Sequence, residues 1–171
     1  MVYTYGAEGQ LHAVDLTTGQ RVWSVDAMNQ FKVQKGFFGA AGSPLVEGGR
    51  VFVSCDRTLA LDAKSGELAW KSEPGQALYS TPARFELAGE PAVAVFGQRG
   101  LDVFSRAKGE PRGSFPFHKD DRLVNAATPV VVGKNLFVSS AYEHGCALVD
   151  FTTGPAHAVW ENKLMRNKMA G

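Results

Sequence analysis

Asp15, Gly19 and Trp23 stand four residues apart in "AVDLTTGQRVW", positions 13–23. A carboxylate, a glycine and an indole at that spacing fit one face of a helix, or a small polar site under an aromatic lid. Few other side chains offer chemistry. Cys55 and Cys146 form neither a CxxC pair nor a zinc spacing. Both lie in apolar stretches, "VFVSC" and "CALVDF", and are expected as buried free thiols. His12, His118, His144 and His157 share no ligand spacing. Ser, His and Asp occur without a GxSxG elbow, so hydrolysis has no support. "GQRG" at 97–100 lacks the strand-to-helix context of a phosphate loop and is expected as a hairpin turn. "HKDDR" at 118–122 is expected as a solvated loop. No catalytic or metal-binding residue emerges.

The opening motif recurs. "DLTTGQRVW" (15–23) and "DAKSGELAW" (62–70) match as D-x-x-[ST]-G-x-x-x-W. "SRAKGEPRG" (105–113) is a weaker copy, with Ser105 for the aspartate and Gly113 for the tryptophan. "DFTTGPAHAVW" (150–160) is a fourth, longer by two residues before Trp160. Gly19, Gly66, Gly109 and Gly154 follow one another at steps of 47, 43 and 45 residues. Ser/Thr-Pro repeats in phase, in "GSPLVEG", "STPARFEL" and "ATPVVVG". So do the strand-like runs "VYTYG", "RVFVSC", "PAVAVFG" and "NLFVSSA".

A period in this range signals a solenoid, a propeller or an array. The contents of each unit decide among them. The second holds four short strand candidates, "SPLVE", "VFVSC", "TLALD" and "ELAWKS". In "LHAVDL", Leu11, Ala13 and Asp15 point one way and His12, Val14 and Leu16 the other. No window holds a helix of three turns. Four strands per unit of about 45 residues indicate an all-β fold, a β-propeller of four-stranded antiparallel blades. The approximate blades are 1–35, 36–76, 77–118 and 119–164, their strands lettered A to D outward from the channel.

The motif then joins strand C to strand D. The glycine supplies positive φ in a hairpin turn, and Asp15, Asp62 and Asp150 accept hydrogen bonds from its amides. Trp23, Trp70 and Trp160 fall on strand D and fill the gap between blades. With Gly19, Gly66 and Gly154 they form a structural docking frame, not a site.

Composition narrows the function classes. Of 171 residues, 44% are hydrophobic and 20% charged, as in ordinary globular proteins, and the net charge of +1 gives no electrostatic case for nucleic acid. No apolar run approaches the roughly 20 residues of a membrane helix. Met1 is followed at once by the strand-like "VYTYG", so no signal peptide is read. Either the protein stays in the cytosol or the chain is cut from a longer one.

The repeated motif resembles the tryptophan-docking repeat of the pyrroloquinoline-quinone (PQQ) type of β-propeller. That superfamily includes quinoprotein alcohol dehydrogenases and the non-catalytic BamB lipoprotein of outer-membrane protein assembly. "FFGAAGSPLVEG", "LYSTP", "RLVNAATPVVVG" and "LFVSSAYEHGCAL" strengthen the resemblance, which spans essentially the whole chain. It implies a propeller of usually about seven or eight blades, periplasmic or exported location, and PQQ as the cofactor to consider. Catalytic quinoproteins also carry an adjacent Cys–Cys ring and acidic metal ligands, and neither pattern is present here.

The chain opens on strand B and holds about four blades, so it is expected to be part of a larger propeller. Alone, it is expected either to pair with a second copy, a homodimer completing a propeller, or to curl into a four-bladed ring. Residues ahead of each strand A vary between blades and should lie near the channel and one face of the ring. They are Phe37 and Phe38, Tyr79 and Ser80, Val124 and Asn125, and Arg166 and Asn167. Variable residues on a repeated scaffold are candidates to bind a protein partner or small ligand. The alternative is that the aromatics plug the channel and the polar groups satisfy backbone. The expected function is a non-catalytic binding or scaffolding platform. The other expectation is a fragment of a PQQ-dependent dehydrogenase whose catalytic residues lie outside the chain.

Overall fold

The structure is a computed structural model and describes residues 1–75, 79–117, 124–141 and 143–167. "HKDDR" at 118–122 lies outside them. Among the described residues, fifteen strands form four antiparallel meanders. The first sheet has three strands, β1 (Val2–Tyr5), β2 (Gln10–Val14) and β3 (Arg21–Asp26). A five-residue helix, α1 (Ala27–Phe31), follows, capped by Asp26, whose side chain accepts from the Asn29 amide. The second sheet runs β4 (Leu45–Glu47), β5 (Arg50–Ser54), β6 (Thr58–Asp62) and β7 (Leu68–Lys71). The third comprises β8 (Ala83–Leu87), β9 (Glu90–Gly97), β10 (Gly100–Ser105) and β11 (Pro111–Pro116). The fourth is β12 (Val130–Val132), β13 (Asn135–Ser140), β14 (Gly145–Asp150) and β15 (His157–Asn162).

The sheets pack face to face in chain order, and a separate core fills each junction. Leu11 and Val25 meet Val51, Val53, Leu59 and Leu61 between blades one and two. Phe52, Ala60 and Trp70 meet Val93 and Val95 between blades two and three. Phe96, Leu101 and Val103 meet Leu136, Val138 and Val149 between blades three and four. The sequence pattern follows from this sandwiching. In β5, Val51 and Val53 face one neighbour and Phe52 the other, so "VFV" is buried on both faces. In β2 only Leu11 and Ala13 are fully buried, so the strand alternates. These are the blades of a β-propeller, present as an open arc.

All four C-to-D hairpins share one construction. The register shifts at an equivalent place in each, at Ala13/Val14, Ala60/Leu61, Val103/Phe104 and Leu148/Val149. Asp15 accepts from the Thr17 and Thr18 amides, and Asp62 from the Lys64 and Ser65 amides, at 2.8–2.9 Å. Asp150 accepts from the Thr152 amide at 2.6 Å and hydroxyl at 2.7 Å. The third hairpin keeps the same backbone bonds as the first two with Ser105 in the aspartate's place, so the aspartates reinforce a turn that the backbone already forms.

Candidate functional site

The docking frame turns out to be a joint between consecutive blades. Trp23 Nε1 donates to the carbonyl of Ala63 in the next blade at 3.0 Å. Trp70 Nε1 donates to Arg106, again one blade on, at 3.0 Å. Each indole lies across the turn glycine of that next blade. A Cβ on Gly66 would stand 2.8 Å from Trp23, and one on Gly109 2.5 Å from Trp70. Glycine is required twice over at these two positions, for positive φ and for the approaching ring. The third junction is filled from the opposite side. Where tryptophan is replaced by Gly113, the ring of Phe151 from blade four takes the space, 3.0 Å from where a Cβ would be. Phe151 also packs edge-on against Phe85.

In a meander, the B-to-C turns and the exits from strand D lie at the same end of every sheet. This end carries the non-repeating residues. Phe37 is 93% exposed and Phe38 53%. Their rings meet edge to face at 5.0 Å, and Phe38 meets Tyr79 at 5.7 Å. Tyr79 is itself buried, its hydroxyl end packed where Gly36 has no side chain. The loop out of blade one and the entry to blade three thus share one aromatic cluster.

A groove of about 500 Å³ runs along this end, lined by Gln34, Lys35, Asp56, Arg57, Pro74 and Gln98 among others. Its floor is polar but braced. Arg57 bonds both Asp56, at 3.3 Å, and the Lys32 carbonyl, at 3.2 Å. Lys35 pairs with Glu8 at 2.6 Å. Cys55 Sγ donates to the Gln34 carbonyl, and burial pushes its thiol pKa up. Burial likewise raises the Tyr5 phenol, whose oxygen is enclosed without a hydrogen-bond partner.

The remaining candidates sit differently. Ser80 is fully buried, donating to the Phe96 carbonyl at 2.7 Å and accepting from the Phe96 amide at 3.3 Å. Asn125 is buried too, and donates to the Gly97 carbonyl at 2.7 Å. The two side chains bind neighbouring residues at the end of β9, Asn125 reaching there from the next blade. Arg166 lies at blade four, bonding the Lys163 carbonyl and paired with Glu143 at 3.8 Å. The Asn167 amide donates to Ser139 Oγ at 3.0 Å. Phe37, Phe38 and Tyr79 come together, whereas Arg166 and Asn167 belong to another blade. Sequence reasoning passed over Asp56 and Arg57. Their signal is a charged pair directly after a strand-B run, in "VSCDR".

The family model described as outer membrane protein assembly factor BamB matches residues 1–170. The chain belongs to this family of PQQ-like propellers. No curated protein matches it significantly. Solved structures with the same fold include BamB from Moraxella catarrhalis, at 22% identity and TM-score 0.68, covering 95% of this chain and 46% of that one. The quinohemoprotein alcohol dehydrogenase of Comamonas testosteroni matches at 17% identity and TM-score 0.69, covering 96% of this chain and 33% of that one. The computationally designed Ika8 protein matches at 12% identity and TM-score 0.69, covering 97% of this chain and 47% of that one. This BamB-family chain therefore spans less than half the length of each.

The family resemblance raises PQQ, and the described residues do not fit it. Cys55 and Cys146 are buried on different blades, bonded to the Gln34 carbonyl and to Asn162 Oδ1. Trp23 and Trp70 are held in blade junctions, and Trp160 lies on an outer strand D. Among the described residues no group of three or more His, Cys, Asp or Glu is placed to hold a metal ion, and no helix is long and apolar enough to cross a membrane.

Proposed function

We propose that this BamB-family propeller is a non-catalytic platform that binds protein through the loop end of its blades, in the periplasm. The observation that carries this is the exposed Phe37–Phe38 pair, seated on buried Tyr79 and flanked by the Arg57–Asp56 groove. Aromatic side chains that are exposed yet backed by a rigid scaffold are the usual energetic centre of a protein interface. Lys35, paired with Glu8, adds a charged group at the rim, where it favours orientation over affinity. The family description, outer membrane protein assembly factor, supports a partner from outer-membrane protein assembly. Ser80 and Asn125 serve this surface indirectly, by fixing the end of β9 beneath it.

A photo-reactive amino acid at position 37, installed in the protein expressed in its own cells, tests the proposal. Crosslinks to a discrete protein that disappear with Phe38→Ser are expected. Equal crosslinking from a probe at Thr17, at the opposite end of the blades, would contradict it.

A further inference from the structure

The junction between blades two and three differs in chemistry from the two beside it. Towards the loop end, blade one meets blade two with the directly paired row Tyr5, Leu11 and Val25. Blade three presents Phe96, Leu101 and Phe115 to blade four at the same level. In blade two this row is hydroxylic throughout. Ser54 pairs with Thr58, and the Ser72 amide donates to the Thr58 carbonyl at 2.9 Å. The facing strand changes too. Asp102 takes the place that Leu59 fills at the first junction and Ala147 at the third, each paired with a valine of its own strand B.

These polar residues border open space. A cleft of about 460 Å³ opens at the outer rim of the junction, lined by Lys71, Ser72 and Glu73 of blade two and by Asp102, Phe104 and Ser114 of blade three. Sites for small molecules span roughly 300–1,000 Å³. The hydroxyls behind the cleft are preset. Ser54 Oγ and Thr58 Oγ1 are buried 3.3 Å apart. Ser72 Oγ accepts from the Thr58 amide at 3.0 Å and donates to the Glu73 carbonyl at 3.2 Å. Groups already held in place lose little freedom when a ligand arrives. The rings of Phe104 and Pro111 supply the apolar part, and Phe104 packs on Trp70 at 6.2 Å.

The lining selects the ligand. Two carboxylates, Glu73 and Asp102, outweigh the one ammonium of Lys71, which disfavours an anion. Hydroxyls donate and accept, and carboxylates accept. A sugar ring matches this set, because its hydroxyls do both and its C–H face packs on an apolar ring. We propose that the cleft binds a neutral sugar, with the ring on Phe104 and its hydroxyls on Ser72, Asp102 and Ser114. This site is separate from the Phe37–Phe38 surface.

Saturation-transfer NMR of the chain with glucose, galactose and glucuronate tests the proposal. At least one of the two neutral sugars is expected to bind with a dissociation constant on the order of 1 mM. Glucuronate, a similar ring bearing a carboxylate, should bind about 10-fold more weakly or worse. Ser72→Val installs the residue that blade one has at Val25 and should abolish binding. Ser72 also supports the Thr58 amide, so Ser114→Val, at an exposed strand position where valine is well accepted, is the variant that keeps the fold. It should weaken binding by about 10-fold. No saturable transfer from either neutral sugar overturns the proposal. So does binding that both substitutions leave unchanged, or glucuronate binding as tightly as the neutral sugars.

Discussion

The indole of Trp70 lies across Gly109 of the following blade, with its Nε1 on the Arg106 carbonyl at 3.0 Å. The joint couples a side chain on one strand D to a backbone turn in the next blade. It demands a large flat ring on one side and no side chain on the other.

Glycine-to-alanine substitutions separate the two demands. Gly109→Ala is expected to cost roughly 2–4 kcal/mol, from positive φ and the displaced indole together. Gly19→Ala incurs only the backbone strain, about 1 kcal/mol, because no described residue lies within 4 Å of where its Cβ would be. Urea unfolding of the two variants checks the difference.

The third junction depends on Phe151. Phe151→Ala is expected to destabilise by about 3 kcal/mol. Gly113→Trp alone should also destabilise, because its Cβ would crowd the Phe151 ring. The double variant should recover part of the loss, since the new indole can then occupy the vacated space. A double-mutant cycle by chemical denaturation measures this coupling.

The turn aspartates predict an acid-sensitive scaffold. Bonds from the Thr152 hydroxyl and amide hold Asp150 well below the usual carboxylate range. The Ser65 and Lys64 amides lower Asp62, and the Thr18 amide and hydroxyl lower Asp15. A folded pKa below the unfolded value contributes stability that is complete above the unfolded value of about 3.9 and is lost as pH falls through the folded one. Asp150→Asn should therefore be less stable than the native chain at pH 6, and the gap should narrow toward pH 2. Unfolding curves at the two pH values check it.

Both cysteines should be slow to react. Cys55 and Cys146 are buried, and burial raises the Cys55 pKa, so little thiolate forms at neutral pH. Labelling with a thiol reagent should be slow in the native protein and fast in denaturant. Prompt labelling of Cys55 would indicate that the Gln34–Gly36 loop opens readily.

The fold was legible because its signals are local and repeated. Asp62, Gly66 and Trp70 mark one turn and one strand, and the same marks return in each blade. The partner of each tryptophan was not legible. Nothing in "DAKSGELAW" says that Trp70 seats on Gly109 rather than on its own blade, since that depends on how sheets stack. Phe151 was hidden for the same reason, as it compensates a change 38 residues earlier at Gly113. Helix α1 spans five residues, too short for a helical period to appear. Around the candidate site, variation between repeats pointed to Phe37, Phe38, Tyr79, Ser80 and Asn125. It could not separate exposed Phe37 from buried Ser80, because the two precede strand A alike and differ only in how the loops fold back.

Titration of the chain with PQQ and calcium, followed by absorbance and by alcohol-dependent dye reduction, tests the central claim most directly. The docking tryptophans are structural joints and the propeller is a binding platform, so no saturable uptake and no alcohol-dependent reduction are expected. Uptake of one PQQ per chain, with calcium-dependent alcohol oxidation, would contradict it.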